Sequence, residues 1–252
     1  MLLRLRVKLP DRPGSLGQVA RTLGVTGADI VQMVVLERIG GRAVDDFTVI
    51  WPAAAPVDRI LAGLGAIPGV SVEGVWRSVG APAVGGADAE LVGQVAANPS
   101  DGIATLVDAV PGQVSADWAA VLAVPVDWAR TGEDGDSAAA LVYASWRAPQ
   151  PFHAPDVTPL RSRSFDGPDG TRYAAAPFGR AGLILLVARG GAEAALPAPG
   201  FHVTEVDRLA QLVRASAVVL GPRLDQSGGV AHRSVEWPVN TAANRLAAAL
   251  DT

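Results

Sequence analysis

Cysteine is absent from this chain of 252 residues, which excludes disulfides, thiolate metal sites and a catalytic thiol. Lysine is almost absent as well, since Lys8 is its single occurrence. Charged residues make up only 18% of the chain, and the formal net charge is -4. A weakly acidic chain without a dense run of Lys or Arg does not favour a nucleic-acid partner.

Long apolar runs are also missing, although 49% of the residues are hydrophobic. The most apolar run, AGLILLVARG, is shorter than the roughly 20 residues that a membrane helix needs. The first ten residues alternate apolar and basic side chains, whereas a signal peptide has a continuous apolar core. We therefore expect a cytoplasmic protein with no membrane partner.

Recognisable catalytic and metal-binding patterns are lacking too. The sequence contains no G-x-S-x-G, no P-loop and no G-x-G-x-x-G after a strand. The three histidines, His153, His202 and His232, are far apart and lack the short spacing of metal ligands. We accordingly predict no catalytic residues, no metal site and no cofactor.

In the first 78 residues, the spacing of apolar side chains changes several times between that of a strand and that of a helix. Alternation in LLRLRVKL predicts a strand with one buried face. A helix follows, with Ser15 as N-cap, Gln18 as capping-box partner and Gly24 or Gly27 at its end. The remaining predicted elements are strands over 29–39, 42–51 and 69–77 and a helix over 57–64. This βαββαβ order predicts an α+β, ferredoxin-like unit with both helices on one face of an antiparallel sheet.

The rest of the chain predicts a second domain. Residues 78–88 are small and aperiodic and indicate a linker, so the predicted domains are 1–78 and 87–222, followed by a tail over 223–252 that is partly disordered or a short helix. Helical patterning precedes four strand-like runs, and a final helix is predicted with Thr204 and Asp207 as a capping box. The proline-containing stretch 147–170 is predicted as a loop that is functional or mobile. Helices flanking a mostly antiparallel sheet are expected here.

Adjacent carboxylates occur in the third predicted strand, at Asp45 and Asp46. Neighbours on a strand point to opposite faces, so the two cannot act on one substrate. We expect Asp46 to pair with Arg4, Arg6 or Lys8 on the open face of the sheet, for a few tenths of a kcal/mol. That open face, with Val34, Leu36 and Ile50 among its apolar residues, is expected to be covered by a homodimer partner or by the second domain.

The stretch DRPGSL, with Asp11, Gly14 and Leu16, followed by GADI at the start of the second strand, resembles an ACT domain. The resemblance extends over about a third of the chain. It implies regulatory binding of a small ligand, usually an amino acid, at an interface between ACT domains, and hence a homodimer. The residues of the predicted ligand site are Asp11, Arg12, Pro13, Gly14, Ser15, Leu16, Asp29, Ile30 and Val31.

The turn before the first helix has the chemistry that such a ligand needs. The first N–H groups of a helix lack partners and lie at the positive end of its dipole, so they can bind a carboxylate. We expect the N–H groups of Gly14, Ser15 and Leu16 to do so, and Asp11 to accept from the ammonium group. Residues 29–31 would close the pocket from a partner subunit. The alternative is that the turn only caps the helix.

The second domain resembles a GAF-like domain in the order of its elements and in its last helix, FHVTEVDRLAQLVRASAVVLG. The resemblance implies a fold and leaves the ligand open. Two functional classes follow. The first is a non-catalytic regulator that senses an amino acid through the ACT domain, with the GAF-like part as a second sensor or as a surface for a protein partner. The second is an enzyme with an unrecognised active site in 87–222 under ACT control, which a buried pocket containing His153 and Arg161 would favour.

Overall fold

The computed structural model describes residues 1–78, 85–124, 139–179, 182–191, 194–221 and 224. Their elements, in chain order, are β1 (Leu2–Pro10), α1 (Ser15–Thr26), β2 (Asp29–Ile39), β3 (Arg42–Ile50), α2 (Asp58–Gly65), β4 (Ser71–Arg77), α3 (Ala87–Ala97), α4 (Gly102–Val114), β5 (Trp118–Ala123), β6 (Ala140–Ala144), β7 (Arg163–Asp166), β8 (Thr171–Pro177), β9 (Leu183–Gly190) and α5 (Val203–Leu220). They form two separate sheets, so the predicted mixed α+β class is confirmed.

The first 78 residues, here the N-terminal unit, form a four-stranded antiparallel sheet in the order β2-β3-β1-β4. This strand order is consistent with the predicted ferredoxin-like arrangement. Alternate residues of β1 (Leu3, Leu5, Val7 and Leu9) are buried with residues of α1 and α2 in one core. The other face of β1 carries Arg4 and Arg6, so the charged face of the sheet points away from these helices.

The start of α1 differs from the prediction. Ser15 is the first helical residue, and the N-cap is Gly14, whose φ of 88° turns the chain into the helix. Predicting Ser15 as the cap was wrong, because a glycine with positive φ replaces side-chain capping at this position. At the other end, Gly27 adopts a φ of 96° and ends the helix as expected.

The described residues from 85 onward, here the C-terminal unit, form a five-stranded antiparallel sheet in the order β6-β5-β9-β8-β7. Helices α3, α4 and α5 contribute to the core on one face. The other face is covered by residues such as Ala148, Phe152 and Val157. The stretch 147–170 therefore closes a second core, and it also contains β7, a short polar strand that the sequence analysis missed.

The cap of α5 is His202 rather than the predicted Thr204. Its Nδ1 accepts the Thr204 N–H at 3.3 Å, and Glu205 accepts the His202 N–H at 2.8 Å. This is a capping box, formed three residues apart as expected but shifted in register. Glu205, rather than Asp207, is therefore the acidic residue of the capping box. Its carboxylate also takes part in the contact between the two units.

The C-terminal unit packs on the open face of the first sheet, one of the two arrangements expected for that face. Trp76 Nε1 donates to the Ser115 carbonyl at 3.2 Å, and the Val75 N–H donates to the Pro197 carbonyl at 3.1 Å. The cover reaches the edge strand β2 only in part, because Val34 remains 36% exposed there. Ile50, on β3, remains 49% exposed.

Two predicted segments fall largely outside the described residues. One is residues 79–84, which make up most of the predicted linker. The other is the predicted tail over 223–252, with His232, of which only Leu224 is described. Leu224 packs into the helical core of the C-terminal unit. Among the helices of the described ranges, none is both long and apolar enough to cross a bilayer.

Candidate functional site

The turn over residues 11–16, here the α1 turn, is fixed by backbone hydrogen bonds. The Asp11 N–H donates to the Gly41 carbonyl at 2.8 Å, which ties the turn to the β2–β3 hairpin. The Ser15 N–H donates to the Arg12 carbonyl at 3.2 Å. The Ser15 N–H, one of the three predicted to bind a carboxylate, is thus already paired. The other two, the N–H groups of Gly14 and Leu16, have no acceptor among the described residues.

Gly14 leaves open space in front of these groups. A Cβ built at this position would meet no heavy atom within 4 Å. Its φ of 88° is a conformation that residues with a side chain rarely adopt. The turn is thus both accessible and dependent on glycine.

Asp11 does not stand alone at the turn, because Arg38 from the end of β2 pairs with it. Arg38 Nη2 lies 2.6 Å from Asp11 Oδ1, and Arg38 Nε lies 3.1 Å from each carboxylate oxygen. The two side chains remain 66% and 28% exposed, so solvent screens the pair and weakens it. No local pattern around Arg38 indicates this contact, since only the β2–β3 register brings the side chain to the turn.

Among the described residues of this unit, three polar side-chain atoms are buried without a hydrogen-bond partner. Arg4 Nε lies on the open face of the sheet, whereas Ser15 Oγ and Asp45 Oδ1 belong to residues that are 5% and 3% exposed. Burial raises the pKa of Asp45, the charges of Asp46 and Asp11 raise it further, and Arg38 opposes them. Asp45 therefore belongs electrostatically to the Asp11–Arg38 end of the sheet, and its unmet hydrogen bond carries a cost.

Residues 29–31 lie at the opposite end of the same sheet. Asp29 pairs with Ile50 on β3, whereas Arg42, at the other end of β3, pairs with Pro10 just before the turn. Nine residues of extended strand separate the two ends by about 25 Å. Within one chain the two halves of the predicted site cannot meet, so only a second copy can bring them together.

On the open face of the first sheet, Asp46 pairs with Arg6, as expected. Arg6 Nε and Nη2 lie 2.8 and 2.9 Å from the two oxygens of Asp46. The pair is buried, however, because the C-terminal unit covers it. Arg6 Nη2 also donates to Glu205 Oε2 at 2.8 Å, across 199 positions of sequence.

Glu205 and Arg189 complete this buried ionic cluster from the C-terminal side. Arg189 is 0% exposed and donates to both oxygens of Glu205 at 2.9 Å. Burial alone would raise the pKa of Glu205, but Arg189, Arg6 and the His202 N–H together lower it to about 2. The Trp76 ring lies 4.8 Å from the Arg189 guanidinium and 5.6 Å from that of Arg6. The cluster therefore joins β1, β3, β9 and α5 around one aromatic ring.

Beside the cluster, the two units line a cavity of about 200 Å³ that is partly open to solvent. Arg4, Val34 and Leu36 line it from the N-terminal unit, and Val114 and Glu205 line it from the other. Its walls come from distant segments of the chain, so no single stretch of the sequence predicts this cavity.

The features that would favour an enzyme are not brought together. His153 and Arg161 are both exposed on the segment that covers the second sheet. In the described part of the chain, no group of three or more His, Asp or Glu side chains is placed to hold a metal ion.

No family model and no curated protein matches the sequence. A formyltetrahydrofolate deformylase from Pseudomonas putida KT2440 matches 32% of this chain at 20% identity, with a TM-score of 0.27. The match spans only 29% of the deformylase chain. An unknown protein from Galdieria sulphuraria matches 90% of this chain and 93% of its own at 13% identity, with a TM-score of 0.28. At such values neither match bears on function, and the fold assignment rests on the strand order described above.

Proposed function

We propose that this protein is a cytoplasmic, non-catalytic regulator that binds an amino acid at the α1 turn of an ACT domain formed by residues 1–78. The observation that carries the proposal is the first turn of α1, where unpaired N–H groups meet open space above Gly14. An unsatisfied, accessible helix N-terminus is a binding site for a carboxylate.

The ligand carboxylate accepts from the N–H groups of Gly14 and Leu16. The ammonium group lies against Asp11, whose exposed pairing with Arg38 is weak enough to be exchanged. Asp45, with its unpaired Oδ1, adds negative charge to the same end of the sheet. Both ends of a free amino acid are thereby recognised.

The second half of the site comes from a second copy of the chain. Strand β2 is the edge of its sheet, and its apolar side chains Val31, Met33 and Val35 are 44%, 36% and 47% exposed. A bare apolar edge is a template for pairing. A homodimer formed along β2 covers this edge and brings residues 29–31 of one copy towards the α1 turn of the other.

The C-terminal unit, residues 87–222, is a GAF-like domain in this proposal and acts as the surface for a regulated protein partner. Its link to the sensor is the buried ionic cluster, because Arg6 and Asp46 belong to the sheet and Glu205 and Arg189 to the C-terminal unit. Strands β1 and β3 each have one end beside the α1 turn, where the ligand binds, and they also hold Arg6 and Asp46 of the cluster. These two strands therefore connect the ligand site to the C-terminal unit.

The proposal is tested by a thermal-shift screen of the twenty amino acids, because a ligand specific for the folded state raises the melting temperature. Calorimetric titration then compares wild type with Gly14→Val, which fills the approach to the turn. Gly24→Val, in the same helix and with no heavy atom within 4 Å of its Cβ position, is the matched control. Binding lost in the first variant and kept in the second supports the site; no binding by wild type, or equal binding by all three, refutes it.

A further inference from the structure

Among its described lining residues, the cavity between the two units has two arginines, Arg4 and Arg208, and one carboxylate, Glu205. We propose that it binds a small organic monocarboxylate with an apolar body, at a place separate from the α1 turn. Its wall contains Arg4, whose side chain is only 13% exposed. A carboxylate bound there is held by a guanidinium largely removed from water, which strengthens the pair.

The charges beside the cavity do not balance. Arg4, Arg6 and Arg189 face two carboxylates, those of Asp46 and Glu205. Both oxygens of Asp46 already accept from Arg6. One positive charge therefore has no counterion of its own within this group.

Arg4 is the least satisfied of the three cations. Its Nη1 donates to Ser115 Oγ, but its Nε is buried and has no hydrogen-bond acceptor among the described residues. The nearest carboxylate oxygen, Asp46 Oδ2, lies 3.4 Å from that Nε. A buried N–H without an acceptor is costly, and a ligand carboxylate at the cavity wall supplies the missing charge. Arg208, which also lines the cavity, is already paired with Asp88 at 2.6 Å.

The remaining walls define the rest of the ligand. Val34, Leu36 and Val114 present apolar surface beside polar side chains such as Thr48 and Gln113, which favours a ligand with a small apolar body. Glu205 repels a second carboxylate, so a dicarboxylate is disfavoured. Its charge is already shared by Arg6 and Arg189, and its Oε2 also accepts the His202 N–H, so an ammonium group gains little there. A simple acid therefore fits better than an amino acid, and the half-exposed Val34 marks the way in.

The test titrates the full-length protein with benzoate and 3-methylbutanoate, followed by calorimetry and by ligand-observed NMR. Benzamide, which has the shape of benzoate without its charge, is the matched ligand control. We expect both acids to bind at millimolar concentration or below and benzamide not to bind. Arg4→Gln should weaken binding by about tenfold or more, because it removes a charge-assisted hydrogen bond.

Two further variants keep the inference falsifiable if Arg4→Gln does not fold. Val34→Phe narrows the cavity and should abolish binding, whereas Ile39→Phe, on the same strand, 68% exposed and outside the cavity wall, should leave it unchanged. The proposal is overturned if no acid binds, if benzamide binds as well as benzoate, or if the folded Val34→Phe protein binds like wild type. Loss of acid binding in Gly14→Val would also overturn it, since the acid would then occupy the α1 turn. Failure of amino acids to bind refutes only the regulator proposal.

Discussion

Replacing Glu205 by glutamine should destabilise the protein more than any substitution of an exposed charge. The change keeps the shape of the side chain but removes the negative charge that Arg189 and Arg6 share. These guanidinium groups are 0% and 2% exposed, so water cannot replace the lost partner. The new amide NH2 would also face donors where a carboxylate oxygen now accepts.

The expected magnitude follows from the burial of the partners. Removing one partner of a buried ion pair costs about 3–5 kcal/mol, because the other charge stays buried and uncompensated. The lowered pKa of Glu205 has the same sign, since Arg189 and Arg6 favour its ionised form in the folded state. We therefore expect the free energy of unfolding to fall by about 3 kcal/mol or more.

The assay is urea denaturation at neutral pH, with Asp88→Asn as the matched control. Asp88 also pairs with an arginine, Arg208, but their side chains are 43% and 36% exposed, and the control should cost under about 1 kcal/mol. If Glu205→Gln costs no more than the control, the ionic cluster does not stabilise the contact between the units, and the reasoning is wrong.

The pH dependence supplies a check with a definite sign. The pKa of Glu205 is lower in the folded state, so its contribution is complete above its ordinary pKa of 4.5 and is lost as the pH falls towards 2. Wild type should therefore lose stability over that interval, and Glu205→Gln should lose less. Parallel curves for the two proteins would contradict the assignment.

Three other outcomes are expected. Asp45→Asn should raise the melting temperature at neutral pH, because burial raises the pKa of Asp45 and keeping it ionised costs stability; a lower melting temperature in calorimetry would contradict this. Gly74→Ala should loosen the contact between the units, since a Cβ there would lie 2.5 Å from Pro199 Cδ. We expect this variant to be proteolysed faster than Gly85→Ala, whose Cβ position is open, and equal rates would count against the prediction. Val35→Lys on the edge of β2 should convert the proposed dimer into a monomer by light scattering, and a wild-type monomer would refute the dimer.

Local features of this protein follow from short stretches of its sequence. Alternation in β1 separates the buried leucines from Arg4 and Arg6, because successive side chains of a strand point to opposite faces. The same rule separates Asp45 from Asp46, and the structure buries them on different faces. Gly27 ends α1 because it adopts positive φ without strain. Each of these depends on a few neighbouring residues, so each was predictable.

Pairing between distant segments was decided by tertiary structure alone. β7 is recognisable only through its pairing with β8, and Arg38 reaches Asp11 only through the register of the hairpin. The pairing of Asp46 with Arg6 followed from strand geometry, but its burial did not, because burial depends on how the second unit docks. Glu205 joins that pair from the far end of the chain, where no local pattern refers to residue 6. Packing of the two units therefore turns a weak surface pair into a buried cluster and creates the cavity beside it.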